Sequence, residues 1–132
     1  MLFATARPGR HADLIHFLEA RRTIVICAPS LETATDAATA RRHSFTYMFC
    51  DLDSYGGAEP VRPYLQRIRA ANPGLCVALM SDGILDRETV GPGVAECDLC
   101  MPASITFGQV EAALAEARKN NAIRQGSLAA DP

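Results

Sequence analysis

Asp51 closes an apolar run, in the stretch Tyr47-Met48-Phe49-Cys50-Asp51-Leu52-Asp53-Ser54-Tyr55-Gly56-Gly57. An acid that ends a buried strand and leads into a Gly-rich loop has the character of a site residue, because open α/β sheets bind ligands beyond the carboxyl ends of their strands. A second apolar run, Leu75 to Met80, stops on Ser81-Asp82-Gly83, and a third, Cys97 to Met101, stops on Pro102. Three such ends in order predict one crevice that holds Asp51, Asp53, Ser81 and Asp82. Two further patterns carry possible chemistry. Cys97-Asp98-Leu99-Cys100 has the CxxC spacing of redox and zinc sites,. Placed in a strand, however, positions i and i+3 face opposite ways, so the sulfurs are expected to diverge. His11 and His16 are spaced i, i+5, which does not give one ligand face. His43 follows Arg41 and Arg42 and reads as a solvated helix end. Gly56-Gly57 lacks the motif of a phosphate cradle and reads as a loop that needs permissive backbone angles.

Those strand ends require a regular alternation of elements. A short start over Leu2 to Thr5 is followed by a helical pattern over His11 to Arg22,. Thr23 to Cys27 is β-branched and continuous and reads as a buried strand. Ser30 caps a helix from Leu31 to Arg42. Phe45 to Cys50 is the third strand, and Pro60 opens a helix that runs through Ala71. Leu75 to Met80 is the fourth strand, with a short helix after it over Ile84 to Val90, cut by Gly91-Pro92-Gly93. Cys97 to Met101 is the fifth strand. Ser104 or Thr106 caps the last helix, which is expected to reach about Asn120; Thr106 with Gln109 forms a capping box,. Cys27, Cys50 and Cys76 read as small buried hydrophobes. The result is an α/β fold: a single (βα)5 unit with a doubly wound parallel five-stranded sheet, order 2-1-3-4-5. The domain spans residues 1–120, and residues 121–132 read as a polar, frayed C-terminal tail,.

Composition bounds the function. The chain has 132 residues, 48% of them hydrophobic and 21% charged, which suits one soluble domain,. A formal net charge of −2 gives no global field towards nucleic acid or a membrane surface,. No apolar stretch is long enough to span a bilayer, and the first residues do not form a signal peptide. Five cysteines without a disulfide framework point to the reducing cytoplasm,. Lys119 is the only lysine.

With its five-fold β-α order and three spaced landmarks, the chain over residues 1 to 120 resembles a response-regulator receiver domain. The resemblance puts a phosphoacceptor Asp after strand three, here Asp51. It puts a switch Ser or Thr after strand four, here Ser81, and a Lys-Pro after strand five, here Met101-Pro102. It also implies an acidic pair after strand one that holds magnesium, and here that place is Thr5-Ala6. Neither residue supplies a carboxylate, which magnesium requires. Met101 cannot neutralise a phosphoryl group, Lys119 is too far along the last helix, and Asp82 adds negative charge. Two like charges at ~4 Å repel by about 4 kcal/mol at an effective dielectric near 20. Asp51, Asp53 and Asp82 without metal or lysine therefore disfavour an incoming phosphoryl group.

The expectation is a degenerate, atypical receiver. It would be a non-enzymatic signalling module that docks a protein partner without magnesium-dependent phosphorylation and without a cofactor. The pocket would be lined by Thr5, Ala6, Asp53, Asp82, Met101 and Pro102 around Asp51 and Ser81. The implied partners are a histidine kinase or another regulator, or a second copy through the face of fourth helix, fifth strand and fifth helix. The exposed residues Gln109, Glu111, Glu116, Arg118 and Lys119 lie on that last helix. Two alternatives stand beside it. One is a functional receiver phosphorylated on Asp51 in a phosphorelay, with magnesium. The other is a small-ligand-binding flavodoxin-like domain.

Overall fold

The computed structural model describes residues 1–40, 45–83 and 97–130, with side chains through 126. The strands are β1 (Leu2–Ala4), β2 (Ile26–Ala28), β3 (Tyr47–Asp51), β4 (Cys76–Ser81) and β5 (Leu99–Pro102). The helices are α1 (Ala12–Ala20), α2 (Leu31–Thr39), α3 (Ala58–Ala71) and α4 (Phe107–Ala130). Short 3-10 turns at Pro8–His11 and Leu52–Ser54 follow β1 and β3. The sheet is parallel with order β2-β1-β3-β4-β5, as the sequence predicts. The Arg41-Arg42-His43 helix end, the Ile84–Val90 helix and Gly91-Pro92-Gly93 lie outside the described residues.

Period-two alternation divides the core between the two faces of the sheet. Leu2, Ala4, Met48, Cys50, Val77 and Leu79 point to the side of α2 and α3, where Ala34, Ala38, Val61, Leu65 and Ile68 meet them. Phe3, Phe49, Ala78 and Leu99 form a row in register on the other side, under Leu14 and Leu18 of α1 and Val110, Ala113 and Ala117 of α4. Asp51 is two residues past Phe49, so it shares the α1 side. That parity decides what can reach it.

The local signals act as their chemistry dictates. Ser30 accepts from the Thr33 N–H at 3.1 Å and caps α2,. The Gln109 side chain reaches back to the Thr106 N–H at 3.2 Å, half of the expected capping box,. Gly56 and Gly57 take φ of 86° and 106°, the left-handed angles that a residue with a Cβ resists,.

Three expectations need correction. The run Thr23 to Cys27 is not a buried strand. β2 is an edge, paired with β1 alone, and leaves Ile24 77% and Ile26 43% exposed, with Cys27 exposed beside them. Residues 121–130 are not a frayed tail: α4 continues to Ala130, with Asn121 and Arg124 bonded to the sheet end. Asn121 is buried and its amide donates to the carbonyls of Pro73 and Leu75, at 3.0 and 3.2 Å. Finally, β5 begins at Leu99 and not at Cys97, so strand alternation does not separate the two CxxC sulfurs, which lie 3.6 Å apart.

Candidate functional site

The candidate site is the crevice beyond the carboxyl ends of β1, β3 and β4. Asp51 is 1% exposed, so its carboxylate must be satisfied by the chain,. Three groups meet Oδ2: Thr5 Oγ1 at 3.1 Å, Ser54 Oγ at 2.9 Å and His11 Nε2 at 2.9 Å. The Asp53 N–H donates to Oδ1 at 3.2 Å. An ionised carboxylate has about four acceptor positions, so this one is close to saturated.

Each donor is placed by backbone. Thr5 stands directly after β1, in hydrogen-bonding reach of β3. Its hydroxyl also accepts from the Arg7 N–H at 3.0 Å, and Ser54 Oγ accepts from the Ala6 N–H at 3.1 Å. The turn at Pro8–His11 then swings the chain over the sheet and starts α1 on the Phe3 side. His11 is buried, with its ring centroid 5.1 Å from that of Phe3. The Phe3 ring and the Pro8–His11 turn thus both bear on how Nε2 faces Asp51.

Burial alone pushes the Asp51 carboxyl up. The hydrogen bonds from His11, Ser54 and Thr5, with the charge of His11, outweigh that and hold it below its ordinary value,. Its neighbour Cys50 faces the other side of the sheet, where burial, with the Asp51 charge, pushes the thiol up to about 12.

A second set of bonds closes the outer half of the crevice. Ser81 Oγ donates to Asp53 Oδ1 at 2.8 Å and accepts from the Gly83 N–H at 3.1 Å. The Asp82 N–H donates to Asp53 Oδ2 at 2.8 Å. Asp53 thus bridges the loops after β3 and β4. Arg10 forms an ion pair with the Asp82 carboxylate at the exposed rim. Hydrogen bonding to Asp82, with the nearby charges of Asp82, Asp51 and Asp53, raises the Arg10 pKa. Met101 is fully buried in the core on the Phe3 side, and Pro102 ends β5 in register with Ser81.

The structure thus brings together Thr5, Asp51, Asp53, Ser81 and Asp82, with the Ala6 backbone, and puts Met101 and Pro102 on the adjoining strand end. It also corrects one expectation: the crevice does not lack positive charge. The Arg10 guanidinium stands among its acids, and the His11 ring hydrogen-bonds Asp51 directly. Sequence reasoning missed both. The signal that could have found them is the Arg7-Pro8-Gly9 stop, which begins α1 close behind β1 and carries Arg10 and His11 over the strand ends.

The donor set does not suit magnesium. Where an acidic pair would stand, Thr5 offers a hydroxyl already given to Asp51. His11 points a ring nitrogen at Asp51 Oδ2, so that oxygen is already engaged by the chain,. Among the described residues, no group of three or more His, Cys, Asp or Glu is placed to hold a metal ion.

A second buried carboxylate, Asp98, organises the opposite end of the sheet. Its Oδ2 takes Arg69 Nη2 at 2.9 Å and the Val77 N–H at 2.8 Å, and Arg124 lies 3.6 Å from Oδ1. Asp98 thus joins α3, β4 and α4.

No protein-family model matches the sequence, and no curated protein matches it. Solved structures match its fold. The receiver domain of the hybrid histidine kinase CckA gives a TM-score of 0.63 at 18% identity, over 89% of this chain and 96% of that one. A response regulator protein from Burkholderia pseudomallei, solved with a phosphorylated aspartic acid, a calcium ion and citrate, gives 0.66 at 16% identity, over 98% and 72%. A response regulator receiver domain from Clostridium thermocellum gives 0.64 at 12% identity, over 92% and 95%. The likeness establishes the receiver fold for this chain.

Proposed function

We propose that this chain is a receiver-like signalling module that acts by docking a protein partner, with no catalysis of its own and without metal-dependent phosphorylation of Asp51. The observation that carries this reading is the His11–Asp51 contact. In-line attack on a phosphoryl donor needs a carboxylate oxygen with an open lone pair and cations that offset charge on the transferring group. Here Oδ2 is enclosed by three donors inside the protein, and Oδ1 accepts from the Asp53 N–H within a carboxylate that is 1% exposed. The Arg10 guanidinium is engaged by Asp82. The Ser81 hydroxyl is committed to Asp53 and to the backbone of its own loop. The side chains at the two polar receiver landmarks, Asp51 and Ser81, are thus each held by neighbours.

Partner chemistry is supported by the surface of α4. Arg21, Tyr47, Glu111, Leu114, Arg118 and Lys119 border an open groove between α1 and α4, with an apolar floor and a cationic rim. Glu111 pairs with Arg21, and Arg118 and Lys119 are exposed. A protein partner, a histidine kinase or another regulator among them, or a second copy of the chain would meet this face. It differs from the expected face of fourth helix, fifth strand and last helix, whose fourth helix lies outside the described residues. No helix among the described residues is long and apolar enough to cross a membrane.

Incubation with acetyl phosphate and magnesium, followed by intact mass measurement, tests the phosphorylation half. The expected result is an unchanged mass. A phosphoryl adduct that disappears in Asp51→Asn would establish the alternative, a phosphorelay receiver. Sedimentation velocity over a concentration series, with Arg118→Glu beside the wild type, tests whether a second copy occupies the α4 face. Self-association lost in the variant supports it, and a monomer at every concentration excludes it.

A further inference from the structure

The CxxC segment remains outside this account, and its geometry carries a separate inference. Cys97 and Cys100 are not joined by a disulfide, their sulfurs lie 3.6 Å apart, and they are 0% and 2% exposed. The pair arises because Cys97 and Asp98 precede β5, so the backbone turns before strand alternation begins at Leu99. The turn is fixed at its centre. The Asp98 carboxylate is held by Arg69 and the Val77 N–H, its N–H donates to the Val77 carbonyl at 2.8 Å, and Arg124 donates to the Cys97 carbonyl. Two thiols are thus held in contact by a network anchored on three other elements.

The geometry points to Cys97 and Cys100 as an intramolecular disulfide site, reversibly oxidised by a disulfide-class oxidant such as oxidised glutathione. A disulfide bond is about 2.05 Å long, so closure asks the sulfurs to approach by roughly 1.5 Å, within reach of side-chain torsions. The step balances. One thiolate attacks a sulfur of the small disulfide, its S–S bond breaks, and one small thiol leaves. The second cysteine attacks the protein sulfur of the mixed disulfide and releases the other. Two electrons pass from the cysteines to the oxidant, and their two protons end on the released thiols. Burial makes the rate depend on local opening, but the equilibrium depends on how well the closed form holds the sulfurs together. The bond would span Asp98 and Leu99 and close the turn at the entry of β5.

The test is a redox titration of the whole wild-type chain in glutathione buffers, native and in urea, with acid quench and alkylation after denaturation. The peptide carrying Cys97 and Cys100 is then weighed. The inference predicts a native peptide that escapes alkylation and is lighter by two hydrogens. It predicts this at a glutathione ratio about tenfold less oxidising than the unfolded chain requires, with the circular dichroism unchanged. An equal or more oxidising ratio, a pairing with Cys27, Cys50 or Cys76, or loss of the native spectrum on oxidation would overturn it.

Discussion

His11 Nε2 stands 2.9 Å from Asp51 Oδ2, and the two side chains are 4% and 1% exposed. A buried carboxylate stripped of such a donor keeps its desolvation cost without the compensation. His11→Ala is therefore expected to destabilise the fold by about 2–3 kcal/mol, read from urea unfolding at neutral pH. A double-mutant cycle with Asp51→Ala should show coupling of the same order, because the second deletion removes the group that the first left stranded.

Acid should weaken the same contact. The folded Asp51 pKa lies below its ordinary value of 3.8. Its contribution is thus fully present above the ordinary value and lost as pH falls through the lower folded value. The stability gap between wild type and Asp51→Asn should be constant down to about pH 5 and shrink below pH 4. Unfolding curves across that range check it, and a gap that widens in acid would reverse the sign of the argument.

Asp98 is expected to matter more to stability than Asp51. Asp98→Ala takes the ion-pair partner from Arg69, whose Nη1 keeps the Pro73 and Leu75 carbonyls, and leaves the buried Val77 N–H without its acceptor. The expected cost is about 3–5 kcal/mol by chemical denaturation. Asp98→Asn, which keeps an acceptor for the Val77 N–H, should cost less.

Much of this arrangement was legible in the sequence. The apolar runs and their stops gave the strand order, and the acids at those stops gave the crevice. Positions across the fold were harder. His11 is far from Asp51 in the chain, and its place depends on which face of the sheet α1 crosses. The run Thr23 to Cys27 is as apolar as a central strand, and hydropathy does not tell an edge from a centre. Cys97 and Cys100 diverge only if the strand starts at Cys97, and the Asp98 network delays that start to Leu99. Residues 121–130 stay helical because Asn121 and Arg124 find partners across the sheet end, a tertiary effect.

The edge position of β2 has a direct chemical readout. In the native protein Cys27 is exposed, while Cys50, Cys76, Cys97 and Cys100 are buried. A limiting dose of iodoacetamide should therefore label Cys27 first, with Cys50 among the slowest, its thiol held near a pKa of about 12,. Peptide mass mapping after a short pulse checks the order.

The central claim is that the Asp51 carboxylate is closed by the chain itself and does not receive a phosphoryl group. Nuclear magnetic resonance during titration with magnesium and beryllofluoride tests it most directly, with backbone amides followed residue by residue. The account predicts small shifts spread without focus and no saturation at physiological magnesium. Saturable shifts concentrated at Asp51, Ser81 and Met101, with His11 released from its partner, would contradict it.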